Sequence, residues 1–179
     1  SNFNLPYGAA ILCRYLKDNN VDVVLDDLSL RIEEYNRGKV FSRHRLLPQA
    51  FADREKVLDY LYDRDYSPVL KRNSEVITEI TCLQDHDLIG ISVRSYYQFL
   101  IACALAKEVK RVSAAKVVLG GPFITLFGDR FFEKNRPVDF MIRGMGHVPL
   151  LRLVDHLAGR RPAAEIPGLI YRDAAEMTR

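Results

Sequence analysis

The residues best placed to do chemistry in this chain are small ones. Gly120-Gly121-Pro122 closes one apolar run, and Arg143-Gly144-Met145-Gly146-His147 closes another. Glycine admits positive φ and lets a ligand come close to the backbone. Adjacent amides ahead of a helix can also hold a phosphate. The glycine pair fits a tight strand-to-helix turn without any ligand equally well. Ser92-Val93-Arg94-Ser95 closes a third apolar run. The Ser92 hydroxyl can donate to a ring nitrogen or a phosphate, whereas Ser95 can simply cap the helix that follows. Arg94 can clamp a phosphate as a bidentate donor or serve as a surface charge. His147 can be a ligand, a cap or neither. Leu5-Pro6-Tyr7-Gly8 and Asp26-Asp27 occupy similar junctions.

Other chemistries lack their residues. No nucleophile–base pair, paired-carboxylate signature or phosphate-binding Walker loop occurs, so no catalytic residue is assigned. Cys13, Cys82 and Cys103 lie far apart, without metal-site spacing. Cys13 and Cys103 fall within helical apolar patterns and read as small buried hydrophobes, which suits a reducing cytoplasm. His44, His86 and His156 are isolated, and no metal ligand set is expected. A net charge of +3 argues for neither nucleic acid nor a membrane surface. No apolar run approaches a membrane span.

The elements that must position these turns alternate in type. Strands are expected over residues 21–25, 88–93, 116–120, 138–142 and 168–171. Helices are expected over 6–18, from 28 to about 35, 50–62, 68–83, 96–112, 125–134 and 149–157. Strand–helix alternation implies right-handed crossovers and a parallel sheet, and strands apolar along their length imply helices on both faces. Ligands then bind beyond the carboxyl ends of the strands, where all these junctions lie. Residues 38–85 read as a helical insert that could form a cap over the ligand or pack against a further domain. No strand precedes the first helix, although a doubly wound sheet usually has one there, at its centre. Either it lies ahead of Ser1, or residues 1–5 are what remains of the loop after it. The chain begins Ser1-Asn2 rather than with methionine, as expected of part of a longer protein.

The blocks DLIGISV (87–93), KVVLGGP (116–122), PVDFMIRGMGH (137–147) and IPGLIYRD (166–173), with a helix between each, resemble the cobalamin-binding domain of radical-SAM enzymes. Pro6-Tyr7-Gly8 followed by VDVVLDD (21–27) extends the likeness to the N-terminus. The resemblance implies a doubly wound, flavodoxin-like α/β fold with a five-stranded parallel sheet, filling residues 1–179 as one domain. It implies that cobalamin lies across the strand ends with its nucleotide tail in a cleft. Gly8 would open that cleft, Ser92 and Val93 would touch the tail, and Gly120 and Gly121 would let the backbone pass close to it. Gly144, Met145 and Gly146 would line the far wall. A downstream radical-SAM domain would hold a 4Fe-4S cluster and S-adenosylmethionine, and the parent enzyme would be a methyltransferase or carry out related radical chemistry.

The sequence departs from the family pattern in three places. Leu5 and Phe3 stand where many cobalamin proteins have a cobalt-ligating histidine and its aspartate. The Arg-Gly-Glu-Gly-Glu turn of the family reads Arg143-Gly144-Met145-Gly146-His147, without either acid. The three-cysteine cluster motif does not occur. The competing expectation is a domain of the same fold that binds no corrinoid and serves interaction or substrate recognition. A flavin- or nucleotide-binding relative fits less well, because Asn4-Leu5-Pro6-Tyr7-Gly8 is not a phosphate loop.

Overall fold

The computed structural model describes residues 7–39, 45–46, 48–64, 67–132 and 136–172. Four apolar segments form one sheet in the order β1 (Leu88–Ser92), β2 (Lys116–Gly120), β3 (Phe140–Ile142), β4 (Leu169–Tyr171). The first three strands run parallel. β4 pairs antiparallel with β3, Leu169 opposite Ile142, whereas strand–helix alternation predicts an all-parallel sheet. The reason lies in the return path. Residues 158–168 run back toward the carboxyl end of β3 and bury Ile166 on the way. Gly168, at φ +72°, then turns the chain into β4.

Helices cover both faces, as continuous apolar strands require. Along β2 and β3 the side chains alternate between two clusters. Val117, Leu119 and Met141 face the larger cluster, and Val118, Phe140 and Ile142 face the smaller. The larger holds α5 (Tyr96–Val112) and α6 (Pro122–Phe132); the smaller holds α7 (His147–Leu157) through Leu153. Both α6 and α7 start earlier than their apolar periodicity suggests. Pro122 suits a first helical position, and each helix grows directly out of the preceding glycine turn.

The region 28–85 is helical, as expected, but more broken. α1 (Tyr7–Asp18) precedes it, followed by α2 (Leu28–Asn36), α3 (Arg54–Leu61) and α4 (Pro68–Ile80). A 3-10 turn at Pro48–Ala52 replaces the start of the expected 50–62 helix. Asp53 and Ser67 cap α3 and α4, each accepting a main-chain N–H. The described residues of the insert pack along α5. Phe51, Val57, Tyr60, Leu70 and Ile77 join the same core as the sheet. This explains why α5 buries Phe99, Leu100, Ala102, Cys103, Ala104, Leu105 and Ala106 on nearly every side: a helix apolar all round must be enclosed.

One buried polar cluster fastens the insert. Glu108 on α5 is 3% exposed. It accepts from the Tyr60 hydroxyl on α3 and from Arg111 Nε at 2.8 Å. Arg111 also donates to Glu75 on α4 at 2.9 Å. Burial first, and the Glu108 carboxylate second, push the Tyr60 phenol well above its ordinary value, so it remains a neutral donor. Tyr60→Phe is expected to lower stability by about 1–3 kcal/mol, since it strips one donor from a buried carboxylate. A urea titration checks this, and Glu75→Gln, on the exposed side of the cluster, should move the midpoint much less.

Residues 21–25, expected as a strand, form no regular element and enter no ladder. Val24 is 69% exposed and Leu25 42%. A strand needs a neighbour, and among the described residues none lies in register with this one.

Candidate functional site

β1, β2 and β3 end side by side, and their junctions form one surface. Ser92 is opposite Gly120 in the register. Beyond them the Val93 N–H donates to the Gly120 carbonyl at 2.8 Å, and the Phe123 N–H donates to the Val93 carbonyl at 3.1 Å. The chain of β1 therefore crosses under the start of α6. This is why Gly121 is glycine. Its φ is +100°, and a Cβ there would stand 2.7 Å from the Val93 oxygen and 3.0 Å from the Val93 nitrogen. The close approach that the glycine pair permits is thus, at Gly121, an approach of the protein to itself.

Gly120 is different. A Cβ there would have the Ile142 carbonyl oxygen as its nearest neighbour, at 3.9 Å, an ordinary contact. Gly144, at φ +77°, would meet nothing within 4 Å, and neither would Gly8. Those positions are open. Gly146 lies between, its Cβ position 3.5 Å from Leu12 of α1. Met145 is 78% exposed at the tip of its turn. Val93, by contrast, is fully buried and both its main-chain groups are engaged. Its side chain belongs to the core, whereas Ser92, at the very end of β1, is exposed.

A residue not singled out from the sequence links the turns. The Thr125 hydroxyl in α6 donates to the Gly121 carbonyl and accepts from the Gly144 N–H, both at 3.0 Å. Threonine one turn into a helix commonly bonds back to the carbonyl four residues earlier, so its type and position hinted at half of this role. The tie to Gly144, 19 residues away, has no local signal. The Arg143 guanidinium is held by Asp129 at 2.7 Å.

Several candidates have structural work instead. Ser95 caps α5, accepting from the Gln98 N–H at 3.3 Å, and the Gln98 side chain accepts from the Arg94 N–H at 2.8 Å. The Arg94 residue itself is exposed. Asp27 caps α2, and Asp26 pairs with Arg31 at 2.9 Å. His147 opens α7 and meets the Tyr15 ring edge-on, 5.2 Å between centroids, which seats α1 on α7. The His156 ring bonds the Arg161 carbonyl. Cys103 is buried, and burial pushes its thiol up from the ordinary range; Cys13 is half-buried and Cys82 exposed. Among the described residues no group of three metal-ligating side chains gathers. Phe3, Leu5 and His44 lie outside the described residues. A hollow of about 250 Å³ lined by Asp85, His86, Asp87 and Ser113 to Ala115 sits at the opposite, amino ends of the strands.

No family model matches this chain, and no curated protein does. Solved structures do. Two structures of the radical S-adenosylmethionine methyltransferase TsrM from Kitasatospora setae share its fold. One has cobalamin and a [4Fe-4S] cluster bound, the other a tryptophan substrate and an S-adenosylmethionine analogue. Each aligns with a TM-score of 0.58 at 21% identity. The alignment covers 95% of this chain but 26% of TsrM, so the chain spans about a quarter of that protein. The fold is therefore α/β, Rossmann- or flavodoxin-like, with a mostly parallel sheet. Among the described residues no helix is long and apolar enough to cross a membrane.

Neighbouring glycines thus differ in role, and stability measurements separate them. Gly121→Ala is expected to cost about 3 kcal/mol or more, from positive φ together with a backbone clash. Gly120→Ala should stay within about 1 kcal/mol of the parent. Paired thermal melts of the two variants decide it.

Proposed function

We propose that this chain is a cobalamin-binding module of a radical-SAM enzyme, and that it holds the corrinoid against the carboxyl ends of β1, β2 and β3. The observation that carries this reading is the row of small, uncovered positions there. Ser92, Gly120 and Gly144 end three adjacent strands, and a Cβ on Gly120 or Gly144 would meet no tighter contact than 3.9 Å. A flat macrocycle with a long tail needs such a strip, clear of side chains. The shared fold of a TsrM segment supports the same reading, because one of those structures binds cobalamin.

On this reading each residue has a physical task. Gly120 and Gly144 leave the backbone accessible, and Gly8 keeps the start of α1 clear. The Ser92 hydroxyl is the polar group available to the tail at the end of β1. Gly144, Met145 and Gly146 form the far wall, where Met145 offers an apolar surface in place of the acids that the resemblance leads one to expect. Gly121 contributes by shape alone: its close passage over Val93 sets the spacing between the β1 and β2 ends. Thr125 holds the two glycine turns at a fixed separation. Bound cobalamin would supply a cobalt centre able to carry a methyl group, and the cluster and S-adenosylmethionine would belong to a separate domain of the parent enzyme. No residue of this chain is assigned a catalytic role.

The second reading is a domain of the same fold that binds no corrinoid and recognises a protein or substrate. It is favoured by the filled turn at Gly121 and by the engagement of Arg143 with Asp129, which together remove two polar or close-approach contacts from the tail. A visible spectrum separates the readings. The purified protein is mixed with hydroxocobalamin, desalted and scanned. Retained corrinoid is expected, with Gly120→Leu lowering affinity at least about tenfold, a change of about 1.4 kcal/mol, while the thermal midpoint holds. A folded parent that elutes colourless sinks the first reading and leaves the second. Gly121 is the wrong position for this probe, because bulk there breaks the turn itself.

A further inference from the structure

Arg31, Arg111, Arg143 and Arg160 are each held by a carboxylate at 2.7 to 2.9 Å. Arg94 is not, and it stands just beyond the end of β1. Its main-chain N–H donates to the Gln98 side chain at 2.8 Å, and the Gln98 N–H donates to the Ser95 cap at 3.3 Å. The backbone at Arg94 is thus fixed at the root of α5. The residue itself is exposed, and among the described residues no carboxylate pairs with its guanidinium.

A second cation reaches the same corner from the insert. Arg54, the first residue of α3, lies over the Tyr96 ring, its guanidinium carbon 5.6 Å from the ring centroid. Tyr96 is the first residue of α5, two beyond Arg94. A guanidinium on an aromatic face is held by its flat side. Its N–H donors lie in the plane of the group, so stacking orients them without using them. Among the described residues no carboxylate takes them. Asp53, beside Arg54, is engaged by the Lys56 ammonium at 3.0 Å and by the Lys56 N–H. Glu55 is exposed on the other side, and α5 carries no acid before Glu108, near its far end. Two guanidiniums brought to one helical turn, with a single unengaged carboxylate beside them, favour an anion.

We infer that Arg54 and Arg94 form an oxyanion site at the carboxyl end of β1, and that its ligand is a phosphate group. A guanidinium fork takes the oxygens of a phosphate in pairs. A carboxylate offers two oxygens in one plane. A phosphate offers oxygens in several, so two forks arriving from different elements, the β1–α5 junction and α3, can each take their own. The Ser92 hydroxyl, exposed at the last position of β1, adds a neutral donor alongside. The inference deepens the corrinoid reading and rests on it for the source of the phosphate, which is then the diester of the nucleotide tail. It also gives the near end of the insert a task that its packing on α5 does not require: Arg54 ties the insert to the ligand.

Visible titrations with hydroxocobalamin and with cobinamide, which keeps the corrin but lacks the phosphate, ribose and base, test it. The parent should bind cobalamin more tightly than cobinamide. Arg94→Gln and Arg54→Gln should each weaken cobalamin binding at least about fivefold, the scale of hydrogen bonds to a charged group. Both should leave cobinamide binding unchanged and the fold intact in a thermal melt. High salt should erode the preference of the parent more than that of either variant, because exposed charges are screened. Equal affinity of the parent for the two corrinoids overturns the inference, as do variants that bind cobalamin like the parent, and in both cases the corrinoid reading survives. A parent that binds neither corrinoid sinks that reading instead. The site then stands on inorganic phosphate alone, which must raise the thermal midpoint of the parent and not that of Arg94→Gln; an equal response of the two proteins overturns it.

Discussion

The crossing of two main chains at Val93 and Gly121 governs the candidate site. A side chain on Gly121 cannot coexist with the Val93 carbonyl 2.7 Å away. With glycine there, the end of β1 slides under the start of α6 and is bonded from both sides, by the Gly120 carbonyl and the Phe123 N–H. That contact ties the β1 and β2 ends together, aims α6 back over the sheet, and brings Thr125 to where it reaches Gly144. The third strand end is thus placed by a hydroxyl that is itself placed by the glycine. The ladder brings Ser92 and Gly120 level, and the crossing with its Thr125 bond fixes the turns beyond them, Gly144 included.

The opposite half of the molecule rests on α5. It serves the sheet with one side and the insert with the other, and a helix with so few polar residues between Phe99 and Ala106 has no alternative. The insert is therefore part of the core rather than an appendage, and it is fastened near the C-terminal end of α5 by Glu108, Tyr60 and Arg111. Because α5 runs back from the carboxyl ends of the strands, this fastening lies away from the candidate site, while Arg54 over the Tyr96 ring anchors the insert at the near end. The described residues of the insert thus buttress α5 along its length.

What the sequence made legible was local. Apolar runs ending in glycine or serine mark β1, β2 and β3, because a central strand needs no polar face. The long apolar pattern of 96–112 marks α5. Glycine was legible as a demand for space but not as a statement of who occupies it: Gly121 and Gly144 look alike in the chain, and one is filled by Val93 while the other is open. The direction of β4 was hidden because it depends on Ile166 and Gly168 bringing the chain back, and neither has a distinctive period. Residues 21–25 carry every local mark of a strand, yet pairing depends on a neighbour, which no local pattern contains. Thr125 was readable as a helix residue, and its bond across 19 positions was not.

The antiparallel turn of β4 also fixes which end of the sheet Arg172 reaches. Leu169 lies level with the end of β3, and Tyr171 lies opposite its start. Arg172 follows, its guanidinium gripping the carbonyls of Val138 and Phe132 at 2.8 and 2.6 Å. The end of β4 is thus clasped at the amino ends of the parallel strands, remote from the open strip, so the margin of the sheet and the candidate site are secured by separate contacts.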